Sequence, residues 1–257
     1  MESKYRQEVA KFGKKDGLLA LCVVLGYPLL SVAFAARWGF SMMWLLAIIK
    51  VGIIFLIVLR NKQGLSSIGL HKERLWPAVR LGLLFCLIPV LFVALIPGIY
   101  GGFNELRIGT LLVVLVTVFF FAAYEDIIFV GFVQTRLYGL FKTDRVAIPV
   151  GALIFALMHV PPWLMAGALD TSNLFTVGMQ FFSWFLVHLV FVSIFKTYYS
   201  LVPIFILHTI INYSRNFAQT FTVFEVDFSL IALALCVLAA CVLFWYTHKQ
   251  SQKATAE

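Results

Sequence analysis

Long apolar runs separated by short polar segments dominate the chain. The runs fall at about 17 to 36, 38 to 59, 81 to 100, 108 to 133, 146 to 169, 174 to 195, 198 to 213 and 229 to 246. Each is close to the roughly 20 apolar residues that a helix needs to cross a bilayer. The pattern therefore predicts an all-α fold, a polytopic membrane bundle of eight transmembrane helices.

The runs leave little of the chain for a second domain. We expect an N-terminal cytoplasmic segment at residues 1–16, an eight-helix membrane domain at 17–246 and a cytoplasmic tail at 247–257. A signal peptide is the alternative for the first run, because Ala33-Phe34-Ala35 resembles a small-x-small cleavage site. The 16 residues that precede the run are long for a signal peptide, so a first transmembrane helix is favoured.

Composition excludes a soluble enzyme. Of the 257 residues, 62% are hydrophobic and 12% are charged, whereas soluble domains are about 45–50% apolar and about 25% charged. The four cysteines lie inside apolar runs without a CxxC spacing. We therefore interpret them as small buried hydrophobic residues rather than disulfides or zinc ligands.

The net charge of +8 is explained by where the basic residues lie. If both termini are cytoplasmic, the outside loops hold only Arg37, Arg107 and Arg215, and Lys50 lies within a run. The other lysines and arginines fall in cytoplasmic segments, as the positive-inside rule requires. This distribution predicts a multi-pass protein of the cell membrane whose basic side faces anionic lipid, and it disfavours nucleic acid as a partner.

Ionisable side chains inside the runs are the candidates for function, because such groups are costly in lipid. They are Lys50, Glu125, Asp126, His159, His188 and His208, with Asn212 beside the last.

The adjacent acids Glu125 and Asp126 point about 100° apart on a helix. One can therefore act on a reacting atom while the other supports it. A carboxylate in a dry setting suits a general base, and a structural hydrogen-bonded pair is the alternative. His159 at similar depth is a plausible partner for activating water, although a lone histidine is also common as a core residue.

His208 and Asn212 are spaced i, i+4, which places both side chains on one helix face. Two such donors can stabilise an oxyanion, and the alternative is a polar contact between helices. His188 has no polar neighbour one turn away other than Trp184, so we favour a structural role for it.

These motifs, taken in order, resemble the CPBP intramembrane proteases, also called the CAAX protease or bacteriocin-processing family. The matching segments are Glu125-Asp126, Phe155-x-x-x-His159, His208-x-x-x-Asn212 and the polar turn Leu65-Ser66-Ser67-Ile68-Gly69-Leu70. The resemblance implies peptide-bond hydrolysis at the membrane. Glu125 and His159 would activate a water, and His208 and Asn212 would stabilise the oxyanion.

Zinc is a possible cofactor of such a site, because some describe the family as metalloproteases. One Glu and two His can form a catalytic zinc set. The chain has no HExxH motif, and a metal-free site accounts better for Asn212. We therefore expect no metal.

The first motif departs from the family pattern Glu-Glu-x-x-x-Arg. The second acid is Asp126, and Val130 occupies the arginine position. We hypothesise that Lys50, at similar estimated depth on the second predicted helix, supplies the missing cation. Its alternative is snorkelling towards the interface.

The favoured function is therefore an intramembrane endopeptidase that cleaves small membrane-associated peptides or protein tails. The second alternative is a non-proteolytic binding, immunity or accessory protein that uses the same cavity. A proton-coupled transporter comes third, because we find no paired repeats of the kind that transporters often carry.

Overall fold

The computed structural model describes residues 4–39, 43–71, 75–84, 108–165 and 174–219. All regular secondary structure in these ranges is helical, which confirms the all-α class. The elements are α1 Lys4–Val9, α2 Lys14–Trp38, α3 Met43–Arg60, a 3₁₀ helix Leu65–Ile68, α4 Leu75–Leu84, α5 Ile108–Asp126, a π-helix Ile127–Gln134, α6 Thr135–Leu137, α7 Asp144–Met165, α8 Leu174–Tyr198 and α9 Val202–Gln219.

Among the described residues, five helical stretches are long and apolar enough to cross a bilayer. They are Lys14–Trp38, Met43–Arg60, Leu112–Leu137, Asp144–Pro161 and Val177–Tyr198. These stretches correspond to the first, second, fourth, fifth and sixth predicted runs, and they indicate a multi-pass membrane protein.

The other three predicted runs are not described as full spans. The run at 81–100 is described only as far as residue 84. The seventh run forms part of α9, where Val202–Tyr213 is a shorter apolar helix. The run at 229–246 lies outside the described residues. The eighth helix, the domain boundaries and the orientation of the termini stay predictions.

Apolar side chains cover the outer faces of the first two spans. Leu25, Leu29, Leu56 and Leu59 are among the most exposed residues, as expected where lipid rather than water is the solvent. Cys22 is a free and exposed cysteine of α2, so the interpretation of this cysteine as buried is wrong. Cys86, Cys236 and Cys241 lie outside the described residues.

The chain forms two compact units. Unit 1 contains the described residues within 1–71 and 124–201, and unit 2 contains the described residues within 72–123 and 202–257. In unit 1, α2, α3, α7 and α8 pack around the π-helix. Its core includes Ile54, Phe129, Phe132 and Phe155. The boundary between the units falls within α5, so Tyr124 and the two acids after it belong to unit 1.

The π-helix continues directly from α5, so this helical stretch ends at Leu137 and not at the predicted residue 133. The Thr135 hydroxyl donates to the carbonyls of Gly131 and Phe132 at 2.7 and 3.0 Å. A Cβ on Gly131 would lie 2.8 Å from the carbonyl oxygen of Ile68. Glycine at this position therefore lets the 3₁₀ segment approach the π-helix backbone closely. π-Helical segments of this kind occur frequently at functional sites.

In unit 2, α4 and α9 pack closely against each other. A Cβ on Gly82 would lie 2.8 Å from a side-chain carbon of Ile206. Pro203 is also close to this glycine. The absence of a side chain at residue 82 therefore lets the two helices make direct contact.

Candidate active site

Glu125 and His159 come together in unit 1, although 34 positions separate them in the sequence. His159 Nε2 lies 3.9 Å from Glu125 Oε2, and each side chain is 22% exposed. Glu125 lies near the end of α5, just before the π-helix, and His159 lies on α7. The contact agrees with the predicted pairing of the two residues, while their catalytic role stays a prediction.

The orientation of the His159 ring is fixed by its own helix and by two aromatic rings. Its Nδ1 lies 2.8 Å from the carbonyl oxygen of Phe155. Because a carbonyl can only accept, Nδ1 carries the proton, and a neutral ring then has its lone pair on Nε2. Trp184 stacks on the imidazole with 4.3 Å between ring centroids, and the Phe155 ring contacts it edge-on at 4.7 Å. The basic nitrogen therefore lies towards Glu125.

The separation of 3.9 Å between Glu125 and His159 is too long for a direct hydrogen bond. A single water molecule can bridge two polar atoms at such a distance. Both side chains are also partly exposed. The geometry therefore suits joint binding of a water by the carboxylate and the imidazole.

Asp126 differs from its neighbour because it is fully buried. It is the last residue of α5 and directly precedes the π-helix. Adjacent acids therefore occupy different environments, one partly accessible and one enclosed. The predicted supporting role of Asp126 agrees with this difference and stays a prediction.

Lys50 lies in the interior of unit 1, on α3. Its side chain donates a 2.7 Å hydrogen bond to Ser31 Oγ. The ammonium also lies 3.2 Å from the centroid of the Tyr27 ring. Only 6% of the residue is exposed, so the alternative in which Lys50 snorkels towards the interface does not apply.

His208 and Asn212 lie on α9, in unit 2. His208 is buried and Asn212 is half-buried. Since both residues lie within one helix, the i, i+4 spacing puts them on the same face. Thr209, next to His208, donates its hydroxyl to the carbonyl of Phe205 at 2.5 Å. The predicted role of the pair as an oxyanion clamp stays a prediction.

His188 has a polar contact that the sequence analysis missed. Its Nε2 lies 3.4 Å from Oε1 of Gln134 on the π-helix. The Gln134 amide nitrogen donates to the carbonyl of Ala147 at 3.0 Å, which fixes the orientation of the amide. His188 also stacks on Phe155, with ring centroids 4.8 Å apart. Spacing along one helix does not reveal this partner, because the contact joins two different helices.

A second buried polar group, the Arg136 cluster, was also missed. We define it as Arg136 with Gln63, Ser67 and Thr135. Arg136 Nη2 donates to Gln63 Oε1 at 2.6 Å and to Ser67 Oγ at 3.1 Å. Its Nη1 donates to Thr135 Oγ1 at 2.8 Å. From the sequence, Arg136 is one of many predicted cytoplasmic charges. The available signal was Gln63 together with the polar turn at 65–70, because their side chains offer hydrogen-bond acceptors.

The guanidinium of Arg136 is enclosed by aromatic rings as well. It lies 4.4 Å from the ring centroids of Phe12 and Phe132, and the residue is 1% exposed. Val130, at the position of the family arginine, is fully buried in the same helical stretch. Arg136 lies six residues after the motif position at Val130. Its guanidinium donates hydrogen bonds to Ser67 of the polar turn.

The described donor side chains do not form a metal site. Within the part of the chain that the structure describes, no three His, Cys, Asp or Glu side chains form a group that could hold a metal ion. Glu125 and His159 together contribute two donors. The expectation of a metal-free site stays a prediction.

Comparison with known proteins supports the resemblance. Residues 107–214 match the family model described as type II CAAX prenyl endopeptidase Rce1-like. The matched segment contains Glu125, His159, His208 and Asn212, and it does not include Lys50. No curated protein and no solved structure matches the chain. The resemblance to the CAAX protease family is therefore confirmed over this segment, which is less than half of the chain.

Proposed function

We propose, from the match of residues 107–214 to a family of CAAX-type proteases, that the protein is an intramembrane endopeptidase. It hydrolyses peptide bonds of small membrane-associated peptides or protein tails in the cell membrane. Its partners are the lipid bilayer and the peptide substrate, and it requires no resident cofactor. The observation that carries this proposal is the proximity of Glu125 and His159 in a partly accessible position.

In the proposed reaction, Glu125 is the general base. A water between Glu125 and His159 transfers a proton to the carboxylate as its oxygen attacks the carbonyl carbon of the substrate. His159 accepts a hydrogen bond from the same water through Nε2 and orients it. The stacked Trp184 and the Phe155 carbonyl keep the imidazole in place, which is the preorganisation that such a step needs.

Attack by the water oxygen produces a tetrahedral intermediate with a negative oxygen. The predicted donors to this oxyanion are His208 and Asn212, because neither side chain needs a full charge to donate a hydrogen bond. The proton held by Glu125 then passes to the leaving amine as the carbon–nitrogen bond breaks. The products are a carboxylic acid and an amine, and Glu125 is regenerated as a carboxylate.

The proposal is tested by mass spectrometry of membrane peptides from cells that produce the wild type, Glu125→Gln or His159→Ala. We expect the intact substrate to accumulate in both variants and its fragments to appear only with the wild type. Glu8→Gln is the matched control, because it makes the same change at an acid that pairs with Lys11 far from His159 in sequence. Identical peptides in wild type and Glu125→Gln would contradict the proposal.

The oxyanion role is tested on the peptide that this comparison identifies. If Asn212 is an oxyanion donor, Asn212→Ala should lower the cleavage rate about 10²-fold or more. The protein should still accumulate in the membrane, because Asn212 is only half-buried. An unchanged rate would remove Asn212 from the mechanism and leave Glu125 and His159 in it.

A non-proteolytic binding, immunity or accessory role is the second candidate. One observation favours it: the arginine position of the first motif holds Val130, which is fully buried. This role predicts that cells producing Glu125→Gln contain the same membrane peptides as cells producing the wild type, and that the variant keeps the binding or accessory function. The peptide comparison above therefore discriminates between the two functions.

A further inference from the structure

Lys50 is a buried charge that the proposed reaction does not use. Its ammonium is held between Ser31 Oγ, at 2.7 Å, and the face of the Tyr27 ring, at 3.2 Å from the centroid. The Ser31 hydroxyl donates to the carbonyl of Tyr27 at 3.0 Å, so its lone pairs are directed to the lysine. These contacts hold the ammonium in the interior of unit 1.

The two contact partners of this ammonium are neutral. Burial of an uncompensated charge is costly, so buried charges are paired with opposite ones. The Tyr27 ring that the ammonium contacts stacks on Tyr124, and Glu125 is the next residue after Tyr124. Glu125 is therefore the candidate opposite charge for Lys50, without direct contact between the charged atoms being required.

Aromatic side chains provide the physical connection between the two charges. Tyr27, under the ammonium, stacks on Tyr124 with nearly parallel rings, 9° apart, and centroids separated by 6.5 Å. Tyr124 directly precedes Glu125 on α5. Tyr27 also contacts Phe129 edge-on at 5.5 Å. The lysine on α3 and the ring on α2 thus support the end of α5 from which Glu125 projects.

We propose that Lys50 is a positioning residue for Glu125. Its charge compensates the Glu125 carboxylate, and its contact with Tyr27 holds the Tyr27–Tyr124 stack beside that carboxylate. This inference rests on the proposed protease function. The charge comes from a helix outside the matched family segment, and the residue at the motif position of the arginine is Val130.

The first test measures cleavage of the peptides whose processing depends on Glu125. Lys50→Met removes the charge and keeps the length of the side chain, and we expect about a 10²-fold loss of rate, as for a misplaced reacting group. Lys50→Arg keeps the charge and should retain a rate within about 10-fold of wild type, because guanidinium groups also stack on aromatic rings. Lys15→Met is the matched control, since Lys15 is exposed on α2.

A second variant pair separates charge from packing. Val130→Arg in the Lys50→Met background returns a cation near Glu125 and should recover part of the rate. Ser31→Ala keeps the charge and removes the hydrogen-bond acceptor of the ammonium, so a several-fold loss is expected. If Lys50→Met does not accumulate in the membrane, the test rests on Ser31→Ala. A wild-type cleavage rate in Ser31→Ala would then contradict the proposal.

A third measurement does not depend on activity. The infrared difference spectrum between wild type and Glu125→Gln shows whether the Glu125 carboxyl group is ionised. We expect an ionised group in wild type and Lys50→Arg, and a protonated one in Lys50→Met. If Lys50→Met has both a wild-type rate and an ionised Glu125, the Lys50 inference is wrong and the protease function stands. If no peptide depends on Glu125, the protease function fails, and the infrared result still decides whether Lys50 compensates the acid.

Discussion

The Arg136 cluster and the Glu125–His159 pair are two polar sites of unit 1 that differ in burial and in hydrogen bonding. Arg136 is 1% exposed, and its guanidinium donates to Gln63, Ser67 and Thr135 while rings cover its faces. Glu125 and His159 are each 22% exposed, and the atoms that approach each other most closely are 3.9 Å apart. One site is saturated with short hydrogen bonds, whereas the other retains accessible surface and room between its two members.

This difference fits a structural role for the Arg136 cluster and the proposed catalytic role of the Glu125–His159 pair. A fully satisfied buried network makes the structure more rigid, because every partner would be left unsatisfied if one were removed. A reactive site needs accessible groups at a distance that a substrate or water can fill. We therefore expect substitutions in the Arg136 cluster to change the stability of the protein and substitutions in the Glu125–His159 pair to change its activity.

The largest effect on stability is expected for Arg136→Met. This change leaves the buried acceptors of Ser67 and Thr135 without their donor, at a cost of about 1–3 kcal/mol for each unsatisfied group. We expect the free energy of unfolding in detergent to fall by roughly 3 kcal/mol, with a matching drop in Tm. Arg145→Met is the control, because Arg145 is exposed.

Thermal unfolding of Glu125→Gln tests whether the Glu125–His159 pair contributes less to stability than the Arg136 cluster does. If Glu125 has the proposed catalytic role, its position is not optimised for stability, and this variant should unfold at or above the wild-type temperature. A loss of stability equal to that of Arg136→Met would mean that Glu125 also has a mainly structural role.

A smaller loss of stability is expected for Gly151→Ala, which changes the packing around Gln134 and His188. A Cβ at this position would lie 1.8 Å from Gln134 Oε1. The alanine would therefore displace the amide that contacts His188 and the carbonyl of Ala147. Overpacking of this kind costs about 1–3 kcal/mol, and cleavage should fall as well, because His188 stacks on Phe155 beside His159.

Gly52→Ala is the matched control for this prediction. No heavy atom lies within 4 Å of a Cβ at Gly52, and this glycine lies within α3. Replacement by alanine should leave the stability unchanged or raise it by up to about 1 kcal/mol, through helix propensity. Equal destabilisation by the two substitutions would contradict the assigned role of Gly151.

The smallest effect is expected for Tyr138→Phe. The Tyr138 hydroxyl donates to Asp144 Oδ1 at 2.6 Å, and Arg6 and Lys196 also pair with this aspartate. Removal of one hydrogen bond should cost about 1 kcal/mol at neutral pH, measured by thermal unfolding. The loss stays small because two cations continue to hold the carboxylate.

The pH dependence of this variant follows from the ionisation of the phenol. Burial and the hydrogen bond to Asp144 raise the pKa of Tyr138 above its ordinary value. Above about pH 10, the unfolded chain loses the phenolic proton while the folded chain retains it, so wild-type stability falls as pH rises. Tyr138→Phe lacks this loss, and its stability deficit should shrink above that pH. A deficit that grows with pH would contradict the assignment.

Local patterns in the sequence were sufficient to predict part of the fold. Apolar runs located the five described stretches that can span a membrane, because transfer of about 20 apolar residues to lipid is favourable whatever their neighbours are. The helical stretch continues to Leu137, beyond the apolar run of about 108 to 133, because Gln134, Thr135 and Arg136 are polar and end the run without ending the helix. The residue motifs indicated Glu125 and His159 as partners, and the structure brings them into proximity.

Other features depended on contacts between distant segments. The sequence suggested that Lys50 supplies the cation missing from the first motif. Only the fold shows that its ammonium contacts Ser31 and Tyr27. The contact of His188 with Gln134 and the enclosure of Arg136 were not predicted. His188 and Gln134 are 54 positions apart in the sequence, and Arg136 and Gln63 are 73 positions apart. Such contacts depend on how the helices pack and not on local spacing.

The sequence by itself determined the helical class, the multi-pass character and the family resemblance, because hydropathy and motif spacing are properties of local segments. Only the tertiary structure decided which of the scarce polar residues are enclosed and which remain accessible. Burial depends on how helices from different parts of the chain pack, and the same residue type can be saturated in one place and open in another. The contrast between Arg136 and the Glu125–His159 pair is the result of that packing.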